Sequence, residues 1–316
     1  MTPPYDVVTM GRVGVDVYPQ QIGVGLEDVQ TFGKYLGGTA TNVAVAAARY
    51  GRRTAVITRT GDDPFGRYIH RALRGFGVDD RFVTAVTGLQ TPVTFCEIFP
   101  PDDFPLYFYR WPKAPDLEIR VDELDLDAIR SADVFWVTST GLSVEPSRTA
   151  TMAALEARAK QGVTVLDLDY RPMFWSDVQA AHEAIAGALP HVTVAVGNLD
   201  ECEVAVGERE PRAAAKALRA TGVGLAVVKQ GPAGVLGDDG ASATVVPPVE
   251  IEVVNGLGAG DAFGGALCHG LLAGWDLTRV LEVGNAAGAL VAGQLACADA
   301  MPTLDEVEAL LAERRR

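Results

Sequence analysis

The sequence predicts an α/β fold of three layers, α/β/α, with a mostly parallel central sheet and a small β-sheet lid. Three observations predict it. Short apolar strand patterns recur along the chain with helical patterns between them. Two β-patterned segments interrupt that rhythm. A run of alternate glycines stands directly ahead of a long apolar helical stretch. Strands that alternate with helices and read as continuous apolar runs belong to a parallel sheet covered on both faces.

In chain order, residues 5–10 form a short apolar strand ending at Gly11, and residues 41–50 a helix with Ala and apolar positions at helical spacing, stopped by Gly51. Residues 53–58 are a second strand and 64–76 a second helix. Further strands are expected at 134–137, 163–167, 192–196 and 225–229. Residues 283–298, interrupted by Asn285 and Gln294, read as a buried helix, too short and too polar to span a membrane. Thr303-Leu304-Asp305-Glu306 is a capping box opening the last helix, and Arg314-Arg315-Arg316 places cations at its C-terminal end. The interrupting segments are about 13–35 and 91–111. The second alternates in β fashion, turns at Pro100-Pro101-Asp102-Asp103 and resumes at residues 106–109, the signature of a hairpin. Both flank glycine-rich turns, as a lid would, the alternative being an ordinary edge hairpin. Without internal repeats or low-complexity linkers, residues 1–316 are expected to form one domain carrying these two lid segments.

Composition narrows the function. The 27 Lys and Arg against 41 Asp and Glu leave a formal charge of −14, which argues against nucleic acid or an anionic membrane as partner. A small anion in a local pocket remains compatible with it. Four cysteines without CxxC spacing and four histidines without an HExxH pair point to reduced core thiols rather than a metal or disulfide framework. With no basic, apolar leader at the start, a cytoplasmic location is expected.

The most informative stretch is Asn255-Gly256-Leu257-Gly258-Ala259-Gly260-Asp261-Ala262-Phe263, followed by an apolar helical run over 262–273. Such glycines expose consecutive N–H groups, and a helix N-terminus adds partial positive charge, so an anion site forms without Lys or Arg. A carboxylate beside a bound phosphate is repelled by it, so Asp261 makes sense as the group that takes a proton from an attacking hydroxyl. The alternative is a tight turn with Asp261 as helix N-cap. No Gly-Lys-Ser/Thr follows, so this is not a Walker A loop. No GxGxxG follows the first strand either, which argues against a dinucleotide-binding dehydrogenase.

Gly258-Ala259-Gly260-Asp261 with Ala262-Phe263 resembles the C-terminal signature of the ribokinase-like (PfkB) carbohydrate kinases. Gly37-Gly38-Thr39-Ala40-Thr41-Asn42-Val43-Ala44 resembles their N-terminal signature. Gly11-Arg12-Val13-Gly14-Val15-Asp16, Gly61-Asp62-Asp63-Pro64-Phe65-Gly66, Asn198-Leu199-Asp200-Glu201 and Lys229-Gln230-Gly231-Pro232-Ala233-Gly234 follow in matching order. The resemblance implies a ribokinase-like fold and ATP-dependent phosphorylation of a primary hydroxyl. Asp261 would be the general base, with the amides of residues 256–260, Gly258, Ala259 and Gly260 among them, as anion hole. Asn198 and Glu201 would organise Mg²⁺ and its waters without ligating it directly, although helix capping uses the same two residues equally well. Lys229, Gly231, Gly234, Gly256 and Asn285 would line ATP, and Asp16, Gly38 and Asn42 would hold sugar hydroxyls. Many members carry Asp-Thr before the Gly-Ala-Gly-Asp, where a monovalent cation binds nearby. This chain has Asn255-Gly256-Leu257, which leaves potassium activation undecided.

The acceptor is read from strand ends. Arg171, in Asp167-Leu168-Asp169-Tyr170-Arg171-Pro172, is placed to grip a carboxylate bidentately, with Arg110 closing from the lid. A structural salt bridge from Arg171 to Asp167 or Asp169 is the alternative. Asp169-Tyr170-Arg171-Pro172 with Trp175, Tyr109-Arg110, residues 32–38 and Ala300-Met301-Pro302-Thr303 resemble the branch of the family that phosphorylates the 6-hydroxyl of 5-dehydro-2-deoxy-gluconate in inositol catabolism. The alternatives are a 2-keto-3-deoxygluconate kinase, then fructokinase or ribokinase, and, in a different class, a non-catalytic sugar-binding module. A homodimer through the lid is expected, with the apolar edge at Phe95 and Phe108 favouring it.

Overall fold

The structure is a computed structural model that describes residues 5–314; Arg315 and Arg316 of the basic tail lie outside the described residues. Its ten-stranded sheet runs Ala243–Val246, Val235–Asp238, Leu225–Lys229, Val194–Asn198, Val163–Asp167, Val134–Thr138, Val7–Met10, Thr54–Gly61, Val78–Asp79, with Val83–Val86 also pairing Thr54–Gly61. Val235–Asp238 pairs antiparallel with both its neighbours, Ala243–Val246 and Leu225–Lys229, and every other pairing is parallel.

Alternate residues of each parallel strand serve opposite faces. Val8, Met10, Phe135, Val137, Leu166 and Val228 pack with the helices between residues 126 and 220. Val7, Val134, Trp136, Val165, Val196 and Val227 pack with the helices Thr39–Arg49, Ala259–Leu272 and Leu277–Ala292. Both faces being apolar, these strands show no polar alternation, as the sequence pattern implied. The layers are α/β/α.

The lid is a separate four-stranded sheet in the order Phe32–Gly37, Gly14–Pro19, Val93–Cys96, Leu106–Tyr109. The expected hairpin is present, with Val93 opposite Tyr109 and an extra bridge between Phe99 and Asp103 at its tip. Phe95 and Phe108 fall on different faces. Phe95 stacks with Phe32 and Tyr109, whereas Phe108 turns to Phe174 and the cavity below the lid.

Several boundaries differ from expectation. The first helix begins at Thr39 and the glycine-headed helix at Ala259, so Asp261 lies inside its first turn. The strand expected at 192–196 spans Val194–Asn198. The late apolar helix spans Leu277–Ala292 and stops there, because the Ala292 carbonyl is taken by the N–H groups of Val254 and Asn255. Residues beyond it turn back under the lid and bring Cys297 to the cavity. The capping box before the last helix is formed, Thr303 N–H donating to Glu306 Oε2 at 2.7 Å.

Candidate active site

Arg12, Asp167, Asp169, Asn198 and Lys229 stand at or just beyond the C-terminal ends of parallel strands. The chain leaves Val7–Met10 for a strand on one side of the sheet and later returns to the other side. Open α/β sheets bind ligands outside the strand ends at such a reversal. A cavity of about 390 Å³ opens there, and a groove of about 580 Å³ adjoins it.

Asp16, Gly38, Asn42, Asp169, Arg171, Asn198, Glu201, Gly258 and Asp261 line the cavity. Gly234, Ala259 and Asn285 line the groove, and Lys229, Gly231, Gly256 and Gly260 line both. The groove is otherwise apolar, with Val249, Ile251, Val253, Phe263 and Ala289 among its walls.

The turn that carries Asp261 is built by Asn255, which is fully buried. Its Nδ2 donates to the Leu295 carbonyl at 2.7 Å and its Oδ1 accepts from Leu257 N–H at 3.0 Å. One of the amides expected in the anion hole, that of Leu257, is therefore committed. Gly258 then adopts φ +82°, a left-handed conformation that a side chain would strain. It begins the helix without a side-chain cap. Asp261 is thus not an N-cap; it is the third residue of the helix, beside the N–H groups of Ala259 and Gly260, which have no partner within a helix's first turn.

Asn42 Nδ2 donates to Asp261 Oδ2 at 2.7 Å, and Asn42 Oδ1 is buried without a partner. Burial pushes the Asp261 carboxyl up to about 6, against the lowering effects of the Asn42 hydrogen bond and the charges of Arg12 and Lys229. Burial also raises Asp167. Asp169 would be raised by burial too, but Arg12 and Arg171 hold it low.

Arg171 forms the alternative salt bridge, its Nη2 3.1 Å from Asp169; its side chain also lines the cavity, with a buried Nε that has no acceptor. For Asn198 and Glu201 the helix-capping alternative is observed. They cap their helix reciprocally, at 2.7 and 2.9 Å, while lining the cavity. Arg110 is not brought to the cavity. It is held by Asp116 at 2.6 Å and lies over the Phe174 ring, because the chain after the hairpin returns Asp116 beneath it. The second cation of the cavity is Arg12 instead, 3.4 Å from Asp169 and hydrogen-bonded to Thr39. Its position directly after Gly11 at a strand's C-terminal end was the signal available in the sequence. Tyr18 and Cys297, whose hydroxyl and sulfur meet at 2.9 Å on the cavity wall, had no such signal. Among the described residues no cluster of three or more His, Cys, Asp or Glu is arranged to hold a metal ion, and no helix is long and apolar enough to cross a membrane.

An aspartate in the first turn of a glycine-headed helix thus lines a cavity under a β-sheet lid, with a second groove adjoining it. The chain belongs to the pfkB family of carbohydrate kinases, which matches residues 5–304, and is accordingly a phosphotransferase with an alcohol group as acceptor. It is 32% identical over 312 residues to the 5-dehydro-2-deoxygluconokinase of Geobacillus thermodenitrificans, covering 96% of this chain and 92% of that one. It is 34% identical over 311 residues to that of Photobacterium profundum, covering 95% and 92%. Among solved structures, the fructokinase of Vibrio cholerae O395 in its fructose-, ADP- and calcium-bound form superposes with a TM-score of 0.85 at 25% identity, covering 97% and 99%. The ATP-bound fructokinase of Xylella fastidiosa shares the fold with a TM-score of 0.86 at 22% identity, covering 99% and 100%.

Proposed function

We propose that this kinase transfers the γ-phosphoryl group of ATP to the 6-hydroxyl of 5-dehydro-2-deoxy-gluconate, a step of myo-inositol catabolism. The observation that carries the choice of a sugar acid is the buried, acceptor-free Nε of Arg171 beside Arg12 in the inner cavity. An unsatisfied guanidinium N–H is costly to bury and matches a carboxylate. The names of the relatives from Geobacillus and Photobacterium support the same choice. A neutral sugar would offer that donor only an uncharged acceptor and hence a weaker hydrogen bond.

Asp261 acts as general base. With Oδ2 held by Asn42, its other oxygen is free to accept the hydroxyl proton, and the unpaired Oδ1 of Asn42 provides an acceptor for a second sugar hydroxyl. The hydroxyl oxygen bonds to the γ-phosphorus in line as the bond to the ADP oxygen breaks, and the first-turn amides stabilise the charge on the phosphoryl oxygens. The apolar walls of the outer groove suit the adenine and ribose, with Asn285, Gly231 and Gly234 along it. Glu201 Oε1 has only a loose approach to Arg171, at 3.6 Å, and faces the cavity. Such a lone oxygen suits a Mg²⁺ that arrives on the nucleotide and reaches Asn198 and Glu201 through water; when bound, the ion neutralises phosphate charge. The lid excludes water and so limits wasteful ATP hydrolysis. Its outer face, with Phe32, Phe95 and Tyr109 stacked and Trp111 89% exposed, supports a homodimer through the lid.

An ADP-release assay across 5-dehydro-2-deoxygluconate, 2-keto-3-deoxygluconate, fructose and ribose tests the choice of acceptor. The first acid is expected to turn over best, and Arg171→Ala to raise KM for it by about 10²-fold or more, as loss of a charged hydrogen-bond partner does. Turnover of fructose with both acids inert would overturn the sugar-acid assignment.

A further inference from the structure

Lys229 ends the strand Leu225–Lys229 at the seam between the inner cavity and the outer groove. It is the only cationic side chain among the described residues that lines both. Its Nζ stands 3.1 Å from where a Cβ on Gly260 would sit, against the turn that carries Asp261. The carboxylates of Asp167, Glu201, Asp261 and Asp169 surround it and favour its charged form against the cost of burial. Even so, its ammonium makes no hydrogen bond or ion pair among the described residues. Three N–H donors on an enclosed, unpaired cation call for an acceptor that the protein does not supply.

We propose that Lys229 is a catalytic cation that contacts the phosphoryl group in transit from nucleotide to sugar. The inference rests on the kinase reading but not on the identity of the sugar. A cation confined to the nucleotide groove would grip ATP equally before and during reaction. At the seam, its N–H groups meet the equatorial phosphoryl oxygens most closely when the phosphorus lies between donor and acceptor, so the interaction strengthens in the transition state. Lys229 keeps its protons throughout; the hydroxyl proton goes to Asp261 and ADP carries away the electron pair of the broken P–O bond.

The test compares Lys229→Met and Lys229→Arg with the wild type in steady-state kinetics. It also measures binding of a non-hydrolysable ATP analogue by calorimetry and thermal unfolding. Lys229→Met is expected to lower kcat by about 10²–10³-fold, with analogue affinity within about fivefold of wild type. Lys229→Arg should recover part of the loss. Should Lys229→Met fail to fold, Lys229→Gln takes its place. Near-wild-type kcat in the charge-removed variant, or a loss confined to KM for ATP, would overturn the proposal. Absence of sugar-dependent ADP release by the wild type would instead overturn the kinase reading itself.

Discussion

At the scale of residues, Asp261 is the clearest link from sequence to chemistry. Its place after Gly258-Ala259-Gly260 was legible because only a few arrangements put a carboxylate at an anion-binding helix start. Its environment was not legible, since the burial that raises it to about 6 and the Asn42 contact that orients it come from a residue 219 positions away. The raised value has a kinetic consequence. A base must be ionised to accept a proton, so kcat/KM should be level above neutrality and fall as pH drops through about 6. A profile of kcat/KM against pH checks this, and a value still level at about pH 5 would place the base elsewhere. Arg110 and Arg12 show where residue reasoning stops. Both are arginines near a strand end, and only the course of the chain decides that Asp116 occupies one while the cavity receives the other.

At the scale of elements, patterns that repeat were readable and patterns that depend on neighbours were not. The parallel strands, the lid hairpin and the terminal capping box follow from local sequence. The edge strands Val235–Asp238 and Ala243–Val246 were missed because they are short, and the outer one is largely exposed, leaving little hydrophobic pattern. The late helix was placed too far toward the C-terminus because its end is set by Val254 and Asn255, not by its own residues. The glycine-headed helix holds the site at a fixed height through Gly265, where an added Cβ would lie 2.3 Å from the Ala46 side chain. That close approach locks it to the helix Thr39–Arg49, which supplies Asn42. Two elements distant in sequence thereby bring Asp261, the proposed base, and the Asn42 amide together.

At the scale of the whole molecule, a charge of −14 has to coexist with proposed ligands that are themselves anions. Backbone amides, a helix N-terminus, Arg12, Arg171 and Lys229 reconcile the two, since an anion in a cavity senses the groups that line it more than charges a Debye length away. The proposed dimer belongs to the same scale. Light scattering at micromolar concentration should give twice the 33.4 kDa chain mass, and replacing Tyr109 and Trp111 by polar residues should shift it to a monomer; a wild-type monomer would remove the lid as an interface. The account as a whole stands on the proton leaving the sugar hydroxyl for Asp261. The most direct measurement is steady-state turnover of Asp261→Asn, which keeps the shape and the Asn42 contact while removing the base. It should lower kcat by about 10²–10⁴-fold with ATP affinity little changed, and near-wild-type turnover would contradict it.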